Sequence, residues 1–202
     1  MRKLTHRCAI NGASSRASVG TSKNSRRQTI RFTYTAAALP WVLPPAAAEG
    51  FALSKAGHRF SIEKLTVRSL KPGKYEVKID GQPIGQWTDG QLAMGVETEA
   101  NDKTPQYQQA LKVALLNKER NEQAYAPLRD QWGALKGKRR DIEKRTQAND
   151  PELEAKQAEF DAWHKTMMEN VEGLRAKAKD FEDQIYLANQ PAPHTYEISP
   201  VQ

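Results

Sequence analysis

The stretch LTVRSLKPGKYEVKIDGQPIGQWTDGQLAMGV, residues 65–96, decides the fold. Leu65, Val67 and Ser69 alternate with Thr66, Arg68 and Leu70, the period of two that marks a half-buried strand. Lys71-Pro72-Gly73 fits a turn, because proline sets φ at the first corner and glycine is free at the second. Tyr75, Val77 and Ile79 then alternate with Lys74, Glu76 and Lys78, and Asp80-Gly81 is a short-range hairpin signal. The returning strand carries Ile84 and Trp87, after which Thr88 or Asp89 caps a short helix through Leu92 and Met94. The segment reads as a small β-module with no nucleophile, base or metal cluster in it.

From Thr104 onward the apolar period becomes helical. Thr104 caps, Pro105 takes the first helical position, and Tyr107, Ala110, Leu111, Ala114 and Leu115 form one stripe. Pro127 is expected to kink or stop this helix, so Leu128–Ala148 reads as a second one. Asn149-Asp150-Pro151 reads as a turn and N-cap, and a third, longest helix follows. In it Leu153, Phe160, Met167, Leu174 and Phe181 repeat every seven residues, with Gln157, His164, Val171, Ala178 and Ile185 four later. The turn is too short for a parallel return, so helices two and three form an antiparallel hairpin. Leu128, Leu135 and Ile142 cover only part of the seam, and its uncovered end is expected to recruit a second copy of the chain.

The expected fold class is therefore α+β: a small antiparallel sheet from about residue 30 to 87, then a long helical hairpin of three coiled-coil-like helices. The divisions are 1–29, a basic disordered leader or mis-started segment; 30–100, the β-module with its short helix; 101–190, the helical region; and 191–202, a C-terminal tail.

The net charge of +7 over 202 residues is a property of one end. Arg2, Lys3, Arg7, Arg16, Lys23, Arg26, Arg27 and Arg31 precede the first acid, Glu49. Without those eight of the 31 basic residues, 23 face 24 acids, so residues 32–202 carry −1 and offer no footprint for nucleic acid. The lone Cys8 excludes an intrachain disulfide. The N-terminal segment has three readings. Ser25-Arg26-Arg27, FTYTAAALPWVL and Ala46-Ala47-Ala48 mimic a twin-arginine export signal; alternatively residues 32–44 are a strand and loop of the mature domain; a basic nucleic-acid arm is the third. Prolines interrupt the apolar stretch, so it is not read as a transmembrane helix.

Side chains able to do chemistry are sparse. His58 and His194 have no His, Cys or carboxylate at ligand spacing, and no zinc, EF-hand or phosphate-loop pattern occurs. Asp161-Ala162-Trp163-His164 satisfies Asp-x-x-His but lies within the heptad pattern, where His164 takes a structural, hydrogen-bonded place. Lys136–Arg140 reads as a solvated helix surface, and Trp41, Trp87, Trp132 and Trp163 as core or seam anchors. No catalytic, cofactor-binding or metal-ligating residue is assigned, and no cofactor.

Four stretches carry a family resemblance. LKPGKYEVKIDGQPIGQWTDGQLAMGV resembles the segment after the catalytic domain of large bacterial SGNH (GDSL-like) hydrolases. TPQYQQALKVALLNKERNEQAYAPLRDQW (104–132), FTYTAAALPWVLP (32–44) and PAPHTYEISP (191–200) are similar to other parts of those chains. The family's nucleophile lies in a Gly-Asp-Ser block, with Gly and Asn oxyanion donors and an Asp-x-x-His pair. This chain contains no Gly-Asp-Ser. The resemblance thus implies a non-catalytic C-terminal accessory region of an ester hydrolase, inactive alone, partnered by a catalytic hydrolase domain. It also implies a periplasmic or secreted location and, since many relatives act on esters of saccharides, a surface that touches carbohydrate. The alternative is an exported interaction protein acting through its helical hairpin.

Overall fold

The computed structural model describes residues 8–10, 29–55, 58 and 60–201, the first three by their backbone alone. The architecture is α+β, an antiparallel sheet module with long helices, as the change of period from two to helical indicates. The chain divides into a sheet unit, residues 1–114 with 188–202, and a helical unit, residues 115–187.

In the sheet unit the strands are β1 (Cys8–Ile10), β2 (Ile30–Thr35), β3 (Lys64–Val67), β4 (Lys74–Ile79), β5 (Gln82–Thr88), β6 (Val96–Glu97) and β7 (Pro193–Pro200). They form two antiparallel sheets, β1-β3-β6 and β2-β7-β4-β5, where a single sheet was expected. The alternation at 65–70 therefore ends early: β3 stops at Val67, and Ser69 takes a left-handed φ of 65° that turns the chain out of the first sheet. Beyond 8–10 and 29, the N-terminal leader of the sequence reading lies outside the described residues.

The hairpin β4–β5 follows its sequence signals closely. Asp80 and Gly81 both have positive φ, 49° and 82°, the geometry whose twist matches the flanking strands. Ile84 and Trp87 are three residues apart, yet Ile84 is buried and Trp87 packs on the same core. A register shift between Val77 and Lys78 resolves this, since Gly85 faces Val77 while Pro83 faces Lys78, leaving Ile84 as the extra residue of a bulge. Pro83 is tolerated because β5 is an edge strand. Helix α1 covers Ala48–Ser54, and α2 covers Asp89–Met94. Of the two candidate caps Thr88 is the one used: its Oγ1 accepts from Gln91 N–H, and Gln91 Oε1 accepts from Thr88 N–H at 2.9 Å.

The core of this unit joins both sheets: Leu65 and Val67 pack with Ile30, Phe32, Tyr75, Val77, Ile79, Tyr196 and Ile198. Phe32 and Tyr196, directly paired across β2 and β7, stack at 5.0 Å. Residues 193–200, to which sequence reading assigned no element, form the strand between β2 and β4.

Helix α3 runs Pro105–Arg120, with Thr104 Oγ1 accepting from Tyr107 N–H as its cap. Pro127 does not stop the chain. A π-helical turn, Asn121–Tyr125, absorbs the proline's missing donor, and α4 resumes at Ala126–Gln147. Helix α5 is unbroken from Leu153 to Ala188, 36 residues.

Within the helical unit the hairpin is antiparallel. Tyr125 bonds Glu182, Leu135 packs on Met167 and Val171, Lys138 lies over the Trp163 ring, and Arg145 pairs with Asp150. Every one of the ten seam positions is buried or half-buried. The seam end that the heptad count leaves bare is not bare, for Ala178 and Phe181 are buried and Leu174 half-buried, which removes the stated reason for recruiting a second copy. No helix among the described residues is long and apolar enough to cross a membrane.

Candidate functional site

A large concavity lies in the sheet unit. Helix α1, residues 97–100 and the first turns of α3 line a cavity of about 630 Å³ whose walls include Leu43, Phe51, Ala52, Tyr107 and Leu111. Its polar and charged residues are Lys55, His58, Glu97 and Glu99, with the Tyr107 ring beside them.

Strand pairing puts the two glutamates there. Lys64 faces Glu97 and Leu65 faces Val96 across β3 and β6, and Gly95, in a positive φ of 93°, turns the chain from α2 into this register. The pairing continues past β6, because Thr98 N–H and Oγ1–H both donate to Glu63 O, at 2.8 and 3.1 Å. Glu97 and Glu99 are alternate residues on this extension, so their side chains share a face. Glu63 N–H donates to Glu99 Oε2 at 3.2 Å. His58 Nδ1 lies 3.0 and 2.9 Å from the two oxygens of Glu97. One atom each from His58, Glu97 and Glu99 falls within 4.8 Å of the others, a set able to hold a metal ion.

Behind this group is a buried polar layer. Glu63 is 6 % exposed and Glu99 2 %. Burial, and next the charge of Glu99, push the Glu63 carboxyl up to about 7. Its Oε1 has no hydrogen-bond partner among the described residues. Burial and then the Glu63 charge raise the Tyr196 phenol, whose oxygen accepts from Gln106 Nε2–H at 2.7 Å, and the same two causes raise Tyr34.

Beside the cavity runs an aromatic ridge. Trp41 contacts Phe51 at 5.9 Å and Phe60 at 5.3 Å, and Phe51 also lines the cavity. Phe60 is 72 % exposed, and Leu53, Trp41 and Ile62 are exposed with it. Of the tryptophans expected to be core or seam anchors, Trp41 is instead a half-open member of this patch, and Trp132 is also exposed.

The other residues singled out in the sequence lie elsewhere. His194 Nδ1 sits 2.6 Å from Asp80 Oδ2 while Thr195 N–H donates to Asp80 Oδ1, so this pair ties the β4–β5 turn to β7. His164 stacks on Phe160 one turn back in α5, and Asp161 accepts instead from Gln157. Lys136–Arg140 is exposed. Sequence spacing missed the association of His58 with Glu97 and Glu99 because some forty residues and three strands separate them.

No family model and no curated protein matches the chain. Among solved structures it is similar in fold to BT4096, a gut microbial diltiazem-metabolizing enzyme, with a TM-score of 0.62 and 23 % identity over 96 % of this chain. The chain spans about half the length of that enzyme, 46 %.

Proposed function

We propose that this chain is the accessory, non-catalytic part of an ester hydrolase of the SGNH type, seated against a catalytic domain that carries the Ser-His-Asp machinery. The observation that carries the reading is the likeness to about half of an enzyme's chain, over nearly the whole of this one. The four stretches resembling SGNH hydrolases support it. They include β2, the β4–β5 hairpin, α3 and β7, so the resemblance covers the elements that build the sheet core. The chemistry is consistent with it too. A serine hydrolase needs a nucleophile hydrogen-bonded to a base that an acid orients, and among the described residues neither the His58–Glu97 pair nor the His194–Asp80 pair is hydrogen-bonded to a serine.

The aromatic ridge of Trp41, Phe60 and Ile62 supplies the seat. Exposed together, these side chains leave apolar surface of the kind that marks an interaction face. In a complete hydrolase the catalytic half covers it. On the same reading the protein acts in the periplasm or outside the cell.

The test has two arms. The purified chain is expected to hydrolyse p-nitrophenyl acetate no faster than the blank. Mixed with the separately produced catalytic domain of the same hydrolase, it is expected to form a complex that Trp41→Glu with Phe60→Glu abolishes. Turnover by the chain alone, lost in a His58→Ala, His164→Ala or His194→Ala variant, would overturn the accessory reading.

A further inference from the structure

The three candidate ligands by the cavity differ from an ordinary surface cluster in how they are held. Glu99 is 2 % exposed, and a carboxylate so buried is retained where hydrogen bonds or a metal ion offset its lost hydration. The Glu63 N–H fixes one Glu99 oxygen, as outer hydrogen bonds orient ligating carboxylates in metal sites. Thr98 donates twice to the Glu63 carbonyl, so the backbone that carries both glutamates is anchored independently of any ion. A second observation points the same way: Glu63, also buried, keeps an oxygen with no donor among the described residues, so the layer behind the ligands holds more acceptor capacity than those residues satisfy.

We infer that His58, Glu97 and Glu99 bind one divalent transition-metal ion of the zinc type, with an open coordination position facing the cavity. A mixed nitrogen and carboxylate set suits zinc, and three protein ligands leave a fourth position for water or a bound ligand. Two ligands of one zinc ion at bond lengths of about 2.0–2.2 Å lie roughly 3–4 Å apart. His58 Nδ1 is hydrogen-bonded to the Glu97 oxygens at 2.9 and 3.0 Å, so a slight opening of that pair, with the third ligand drawn in from within 4.8 Å, completes the set. The chain enters the site from two directions, His58 after α1 and the glutamates after β6, so an ion would join the α1 side of the cavity to the sheet. Lys55 also lines the cavity, and a cation there favours an anionic or carbonyl oxygen as the fourth ligand.

The full chain, stripped with chelator and titrated with zinc chloride by calorimetry, is expected to bind one ion. His58→Ala and Glu97→Gln, both at partly exposed positions, are each expected to weaken binding at least tenfold with an unchanged circular dichroism spectrum. His6 and Cys8 are a second histidine and a thiol close together in the N-terminal sequence, so a His6→Ala/Cys8→Ser double variant is expected to bind as the parent does. X-ray absorption of the loaded chain should report nitrogen and oxygen ligands and no sulfur. Binding that is absent, that persists at full affinity in the His58 and Glu97 variants, or that disappears in the His6/Cys8 variant would overturn the site. No hydrolase partner enters any arm, so this result stands apart from the test of the accessory role.

Discussion

The sheet unit gathers thirteen buried residues from five strands, helix α2 and the residue after β2 into one cluster, with Ile30, Leu65, Val67, Val77, Leu92 and Ile198 wholly sealed. The helical unit gathers Leu135, Met167 and Val171, and surrounds them with half-buried Leu128, Phe160, Trp163 and Met168. Both follow a regular apolar period, but two sheets close on one another from both sides, whereas a pair of helices leaves each seam open along its flanks. The hairpin compensates with polar ties along its length, Arg120 and Tyr125 to Glu182 and Arg145 to Asp141 and Asp150. Interior packing stabilises by the apolar area it removes from water, and exposed ion pairs add little, so the sheet unit should be the more stable of the two.

The largest effect expected from this contrast is Ile198→Ala, in the strand flanked on both sides, at about 4 kcal/mol. Met167→Ala in the hairpin should cost about 2 kcal/mol, because its half-buried neighbours can close on the gap. Hydrogen exchange read separately over β4 and α5 checks both, and equal losses would end the distinction. Next is Gly95→Ala. An added Cβ there would sit 2.7 Å from Lys64 Cε and 2.8 Å from Thr66 Oγ1, in a left-handed conformation. A loss of about 1–2 kcal/mol is expected, confined to the sheet unit, with weaker zinc binding as β6 shifts. Glu182→Gln should cost the hairpin about 0.5–1 kcal/mol, falling at high salt, since Arg120 and Tyr125 both lean on it at a partly exposed site.

The smallest effect concerns pH. Burial alone would raise the Asp80 carboxyl, but Thr195 N–H and His194 hold it below the ordinary carboxylate value. A depressed carboxyl stabilises the fold at pH values above its unfolded pKa and loses that contribution as pH falls through its folded pKa. The stability gap between the parent chain and Asp80→Asn should therefore be steady from neutral pH downward and close below about pH 4. A gap that widens in acid would contradict the geometry of the pair.

Local signals were legible wherever one residue's backbone preference decides the outcome. Asp80-Gly81 specifies its hairpin through two positive φ angles, Thr88 its helix through a side chain that reaches Gln91, and Thr104-Pro105 the start of α3. The heptads of α5 were legible because each side chain's place on a helix follows from its number alone. Pro127 shows the limit of such rules: the sequence carries a helix breaker, and a π turn absorbs it without ending the helical path.

By itself, then, the sequence determined the period of each segment, the turns between them and the lack of a Gly-Asp-Ser block, since all of these are properties of neighbouring residues. Only the tertiary structure decided partnership. It placed Tyr196 and Ile198, whose alternation was visible but unremarked, in the middle of a sheet with strands more than a hundred residues earlier. It split the 65–79 segment between two sheets, and it brought His58 against Glu97 and Glu99. Contacts of that kind depend on which buried faces satisfy one another at long range, and no spacing along the chain encodes the choice.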